Sequence, residues 1–110
     1  SIKQKLGKGL GQLKDKNRGK IFPQFKLNKY KNLDDYFSKK AVLILSSDIK
    51  AKVSKNYSLL EAKSLKNLSI YLKNINSKAI LVRPDRFILG SANSGKQISS
   101  LIKKNSFILR

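Results

Sequence analysis

The residues best spaced for chemistry lie near the end of the chain. Gly90-Ser91-Ala92-Asn93-Ser94-Gly95-Lys96-Gln97 fits the G-x-x-x-x-G-K pattern of phosphate-binding loops, and it stands between an expected strand and an expected helix. In such loops backbone N–H groups cradle phosphates, the Lys reaches the terminal ones, and the next Ser or Thr binds magnesium. Here Gln97 occupies the magnesium position. The preceding apolar run also belongs to a hairpin, whereas phosphate loops follow a parallel strand with a crossover. Ser94-Gly95-Lys96-Gln97 has a local explanation as S-x-x-Q, the capping box of the last helix. That reading is preferred to nucleotide binding.

The rest of the inventory is poor in catalytic groups. Cysteine and histidine are absent, which removes disulfides, thiol chemistry, the usual general base and the commonest metal ligand. Six carboxylates remain: Asp15, Asp34, Asp35, Asp48, Glu61 and Asp85. Only Asp34 and Asp35 are neighbours, and adjacent side chains diverge on helices and strands alike. No catalytic, cofactor-binding or metal-ligating residue is therefore expected.

The elements that position these residues centre on Ala79 to Leu89. Two apolar runs, Ile80-Leu81-Val82 and Phe87-Ile88-Leu89, flank Arg83-Pro84-Asp85-Arg86. Pro and Asp suit the central positions of a tight turn, so the segment reads as a β-hairpin, with a buried helix segment as the alternative. Ala41 to Leu45 is a continuous apolar run suited to a central strand buried on both faces. Leu65, Leu68, Leu72 and Ile75 recur on one helical face, and Leu59, Leu60 and Ala62 extend it, predicting a helix over 58–75. Residues 49–56 read as a loop. Ile98, Leu101 and Ile102 predict a last helix that covers the sheet. Phe107-Ile108-Leu109 is an apolar end that packs back or meets a partner.

Pro23 confines Ile21 to Leu27 to an edge strand or extended segment. Phe25 and Tyr30 read as core rather than base-stacking residues. Asn32 or Asp34 can cap a short helical turn. Residues 1–18 read as a basic, flexible arm or linker, with residues 19–110 as one domain. With no apolar run of 18 residues, no membrane span is expected.

The formal net charge is +19. Anionic partners, nucleic acid above all, are one explanation. Yet only Arg18, Arg83, Arg86 and Arg110 are Arg among the 25 basic residues, and nucleic-acid readers favour the Arg fork. Compositional drift toward Lys, Asn and Ile explains the charge better. Nonspecific nucleic-acid binding at low salt is expected either way.

Gly19-Lys20-Ile21-Phe22-Pro23-Gln24, Leu33-Asp34-Asp35, Ala41 to Leu45 and Leu81-Val82-Arg83-Pro84-Asp85 form, in that order, a recognisable set. Together they resemble the C-terminal thioredoxin-like domain of FAD-dependent aromatic hydroxylases, the class that includes 3-(3-hydroxyphenyl)propionate hydroxylase. The resemblance spans about residues 19–104, and Val82-Arg83-Pro84-Asp85 is its most specific part. It implies a small thioredoxin-like α/β domain, with a central strand around Val42 and a C-terminal β-hairpin covered by helices. It also implies a noncatalytic role in packing or subunit contact within a cytoplasmic flavoprotein monooxygenase. FAD and substrate would belong to other domains, of the same chain or a partner chain, and a homodimer would be one form of contact. Arg83, Pro84 and Asp85 carry over as a structural turn, in which Asp85 would bond turn amides and Arg83 would pair with a carboxylate. Glycine is common after this Asp in the family, and Arg86 stands there instead. The alternative function is a small basic nucleic-acid-binding protein.

Overall fold

β1 (Ala41–Leu45) is apolar and buried at every position, as a strand covered on both faces must be. The computed structural model describes residues 14–25, 37 and 39–109, and β1 lies inside its four-stranded sheet. The order is β2 (Tyr57–Glu61), β1, β3 (Ala79–Val82), β4 (Ile88–Ala92). β2 runs parallel to β1, placing Leu59 opposite Leu43. β3 is antiparallel to β1, with Leu81 opposite Leu43, and β4 is antiparallel to β3.

Successive strand side chains point to opposite faces, and the two faces carry two cores. Val42, Ile44, Leu60, Ile80 and Val82 pack with Leu68 and Leu72 of α1 (Lys66–Asn74). Leu43, Leu45, Leu81 and Leu89 pack with Ile98 and Leu101 of α2 (Gly95–Lys104). The result is a small α/β domain with a mixed sheet between two helices.

The helix expected over 58–75 is a correction. Residues 57–61 are β2, Ala62–Ser64 is a 3-10 turn, and the α-helix spans only Lys66–Asn74. Leu59 and Leu60 fit a helical stripe in the sequence. In the fold, however, Leu60 joins the α1-side core while Tyr57 and Leu59 meet the α2-side core. Parallel pairing with β1, the preceding strand, which lies beyond the reach of a helical turn, outweighed the local periodicity.

The hairpin forms as expected. The Arg86 N–H donates to Arg83 O at 2.7 Å and the Arg83 N–H to Phe87 O at 2.9 Å, enclosing a three-residue loop of Pro84, Asp85 and Arg86. Such loops end on a left-handed residue, usually Gly, and Arg86 has φ 72°. This explains why glycine suits the position. Left-handed backbone costs an L-residue about 1–2 kcal/mol, partly offset by glycine's larger unfolded-state entropy. Arg86→Gly is expected to raise stability by about 0.5 kcal/mol, read as a higher urea midpoint at unchanged m-value.

Residues 15–22 seal the outer edge of β4. The Gly19 N–H donates to Ile88 O, the Ile88 N–H to Lys20 O and the Phe22 N–H to Arg86 O, at 2.8–2.9 Å. Arg18 Nη1 reaches Leu89 O at 2.6 Å. Ile21 bridges Phe87, as an edge segment containing Pro23 should. Covering an edge in this way blocks pairing with other chains. Lys14–Arg18, the end of the expected basic arm, is thus built into the domain. The earlier part of the arm, Tyr30, Asn32 and the Leu33-Asp34-Asp35 segment lie outside the described residues.

Candidate interaction site

The phosphate-loop lookalike dissolves into ordinary structure. Gly90, Ser91 and Ala92 are strand residues of β4, so only Asn93 and Ser94 separate strand from helix. Ser94 Oγ accepts from the Gln97 N–H at 3.1 Å, and Gln97 Oε1 accepts from the Asn93 N–H at 2.7 Å. This is the expected capping box, with its return bond shifted by one residue. Gly90 has its own packing reason: a Cβ there would run into Leu101 and sit 3.2 Å from Asp15 Oδ2.

Each carboxylate with described contacts is tied to partners within the fold. Asp85 accepts from Arg83 Nε at 2.9 Å, from Arg83 Nη2 at 2.6 Å and from the Phe87 N–H at 3.1 Å. Arg83 also lies 4.6 Å from the centre of the Phe87 ring, a cation–π distance. Arg83, Pro84 and Asp85 therefore form a closed turn. Asp48 accepts from Ser46 Oγ and pairs with Lys78 Nζ at 2.8 Å, and Glu61 pairs with Lys63 at 3.2 Å.

These pairings set the acid sensitivity of the fold. The Lys78 ammonium, then the Ser46 hydroxyl, hold Asp48 down to about 2 from the ordinary 3.8. The Arg83 guanidinium, then the Phe87 amide, hold Asp85 to about 2 as well. A lowered folded pKa contributes stability that is fully present above the unfolded value and lost as pH falls through the folded one. The melting temperature is expected to fall between about pH 4 and pH 2. With no histidine in the chain, it should stay nearly flat from about pH 5 to 8. Melting curves across this range check both halves.

A buried polar clasp escaped the sequence reading. Asp15 accepts from the Ser91 N–H at 2.6 Å, Ser91 Oγ at 2.8 Å and the Asn17 N–H at 3.0 Å. Asn17 Nδ2 donates to Ser77 Oγ at 3.0 Å, Ser91 Oγ at 3.3 Å and Ile75 O at 3.3 Å. Burial works to raise the Asp15 pKa, but the bonds from Ser91, Asn17 and Arg18 together lower it. No local signal pairs Asp15 with Ser91, because the tie is long-range in sequence. Among the described residues, no group of three or more His, Cys, Asp or Glu could hold a metal ion.

What remains open is surface. A groove of about 760 Å³ runs between α2 and residues 50–57, with Tyr57, Ile98 and Ile102 in its lining and Lys50, Lys52 and Lys103 around it. A second, about 580 Å³, lies beyond the C-terminal end of β1, among Ser46, Ser47, Asp48, Lys73, Lys78 and Asn93. β1 is where the sheet order turns, with β2 on one side and β3 on the other. Open α/β sheets often bind ligands at such a point, but here Asp48 already neutralises Lys78. The chain matches no family model, no curated protein and no solved structure. The geometry alone therefore describes a domain whose described carboxylates serve the fold and whose exposed chemistry is lysine and apolar groove. No helix among the described residues is long and apolar enough to cross a membrane.

Proposed function

We propose that this chain is a noncatalytic, thioredoxin-like domain belonging to a cytoplasmic FAD-dependent aromatic hydroxylase. Its role is packing against the flavin and substrate domains, of the same chain or a partner, or against a second copy. The observation that carries this reading is the meeting of two motif segments far apart in sequence. Gly19 to Gln24 runs along β4, and Phe22 and Ile21 bond and bridge Arg86 and Phe87, directly after the Val82-Arg83-Pro84-Asp85 turn. These two segments thus form one structural unit, as motifs that serve a fold rather than a reaction would. The strand around Val42 is central, the hairpin completes the sheet and the last helix packs on it. These features support the thioredoxin-like assignment.

The arginines favour this reading over the nucleic-acid alternative. Arg18 gives Nη1 to Leu89 O, and the Arg83 fork is taken by Asp85, so the Arg83 fork is not offered to phosphate or guanine. The test is to capture the native gene product with an antibody to this domain and record its mass and visible spectrum. A chain several times heavier than 12.4 kDa with flavin absorbance is expected. A colourless protein of this size would overturn the reading. The isolated chain is expected not to bind FAD, and stoichiometric binding in a fluorescence titration would contradict a noncatalytic role.

A further inference from the structure

The groove along α2 has the shape and charge of a docking site. Gly95, Ile98, Ser99, Ile102 and Lys103 line it, and their spacing of three, one, three and one marks a single stripe of the helix. At 1.5 Å per residue the stripe is about 12 Å long, a little over two turns. Opposite it lie Ala51 and Tyr57, with Lys50 and Lys52 beside them. Tyr57 is held in place by its hydroxyl, which donates to Lys52 O at 2.8 Å. Ile98 is fixed in the core beneath, so the floor is rigid.

A channel that parallels a helix is the complement of another helix, because side-chain ridges of one seat in grooves of its neighbour. Amphipathic helices dock in such grooves through apolar residues at i, i+3, i+4 and i+7. The lysine rim with no lining carboxylate selects an acidic partner, since complementary rim charge steers and orients docking. Gly95 keeps one end open, as a Cβ there would meet nothing within 4 Å.

We propose that this groove docks an acidic amphipathic helix of about two to three turns from a partner protein. The inference rests on the noncatalytic reading and names the face and the partner chemistry through which the domain would pack.

The test uses the present chain and a fluorescein-labelled peptide of about 16 residues, with Leu at helical spacing flanked by Glu. Anisotropy is read at about 0.15 M salt, where long-range attraction to the +19 chain is screened. Saturable binding is expected, at least about tenfold tighter than for a scrambled peptide of the same composition. Lys50→Glu/Lys52→Glu/Lys103→Glu is expected to weaken binding at least about tenfold. The matched reversal Lys63→Glu/Lys66→Glu/Lys73→Glu, on or beside α1, should change it less than about threefold. Gly95→Leu, which adds bulk to open space, should also weaken it about tenfold while the melting temperature holds. Equal binding of the scrambled peptide, equal effects of the two reversals, or full binding by Gly95→Leu would each overturn the proposal. None of these outcomes bears on the mass and flavin test, so the two readings fail separately.

Discussion

Phe22→Ala is expected to cost about 3–5 kcal/mol, the largest single-residue effect in this domain. Phe22 is fully buried and anchors an aromatic cluster. Its ring stands edge-on to Tyr71 at 5.2 Å, and tilted to Phe25 at 5.4 Å and Phe37 at 6.3 Å. Truncation leaves a cavity among these rings as well as lost burial. Phe22 also sits on the segment that seals β4, its N–H bonded to Arg86 O at 2.8 Å. Domains of this size are typically stable by only about 5–15 kcal/mol, so the variant should lose a large share of its stability. Urea unfolding checks this through the midpoint. Phe22→Leu should cost less than half as much, because it keeps most of the volume. A loss below about 1 kcal/mol for the Ala variant would mean that the cluster does not hold the segment to the sheet.

The second large effect is at the clasp. Asp15→Ala removes an acceptor from the Ser91 N–H, Ser91 Oγ and the Asn17 N–H together. Leaving partly buried donors unsatisfied after losing charged hydrogen bonds should cost about 2–3 kcal/mol. The pH dependence separates the charge from the shape. The Asp15 pKa is lowered in the fold, so its contribution is full above the ordinary carboxylate value and fades as pH falls. Wild type and Asp15→Ala should therefore converge in stability in acid and differ most near neutrality. A second consequence concerns association. Loosening residues 15–22 bares the backbone of β4, and bare edges pair with other chains. The variant should show larger particles by light scattering as concentration rises, whereas wild type should not. A constant stability gap from pH 7 down to about pH 2 would show that Asp15 acts through packing and not through its charge.

Much of this architecture was legible from local pattern. Ala41 to Leu45 is an unbroken apolar run of strand length, which suits a strand covered on both faces. Pro84 and Asp85 announced the turn, and Ser94 with Gln97 announced the start of α2 by the chemistry of capping. The weaknesses share one cause. Ser58 to Glu61 looked helical because Leu59 and Leu60 extend the stripe of Leu65 and Leu68. Periodicity counts neighbours along the chain and cannot see a strand partner. Lys14 to Arg18 looked like linker because it is a short, charged and polar run with no apolar residue. Nothing near it in sequence reveals Ser77 and Ser91.

By itself, then, the sequence determined the hairpin and its turn, the buried central strand, the last helix, and the poverty of catalytic groups. Each follows from short-range sterics, capping or composition, which act between residues a few positions apart. Only the tertiary structure decided that residues 57–61 join the sheet and that Asp15 and Asn17 lock the β4 edge. It also decided that a lysine-rimmed channel lies beside α2. Those outcomes depend on which distant surfaces meet once the strands pair, because burial and long-range hydrogen bonds are shared between segments and belong to neither alone.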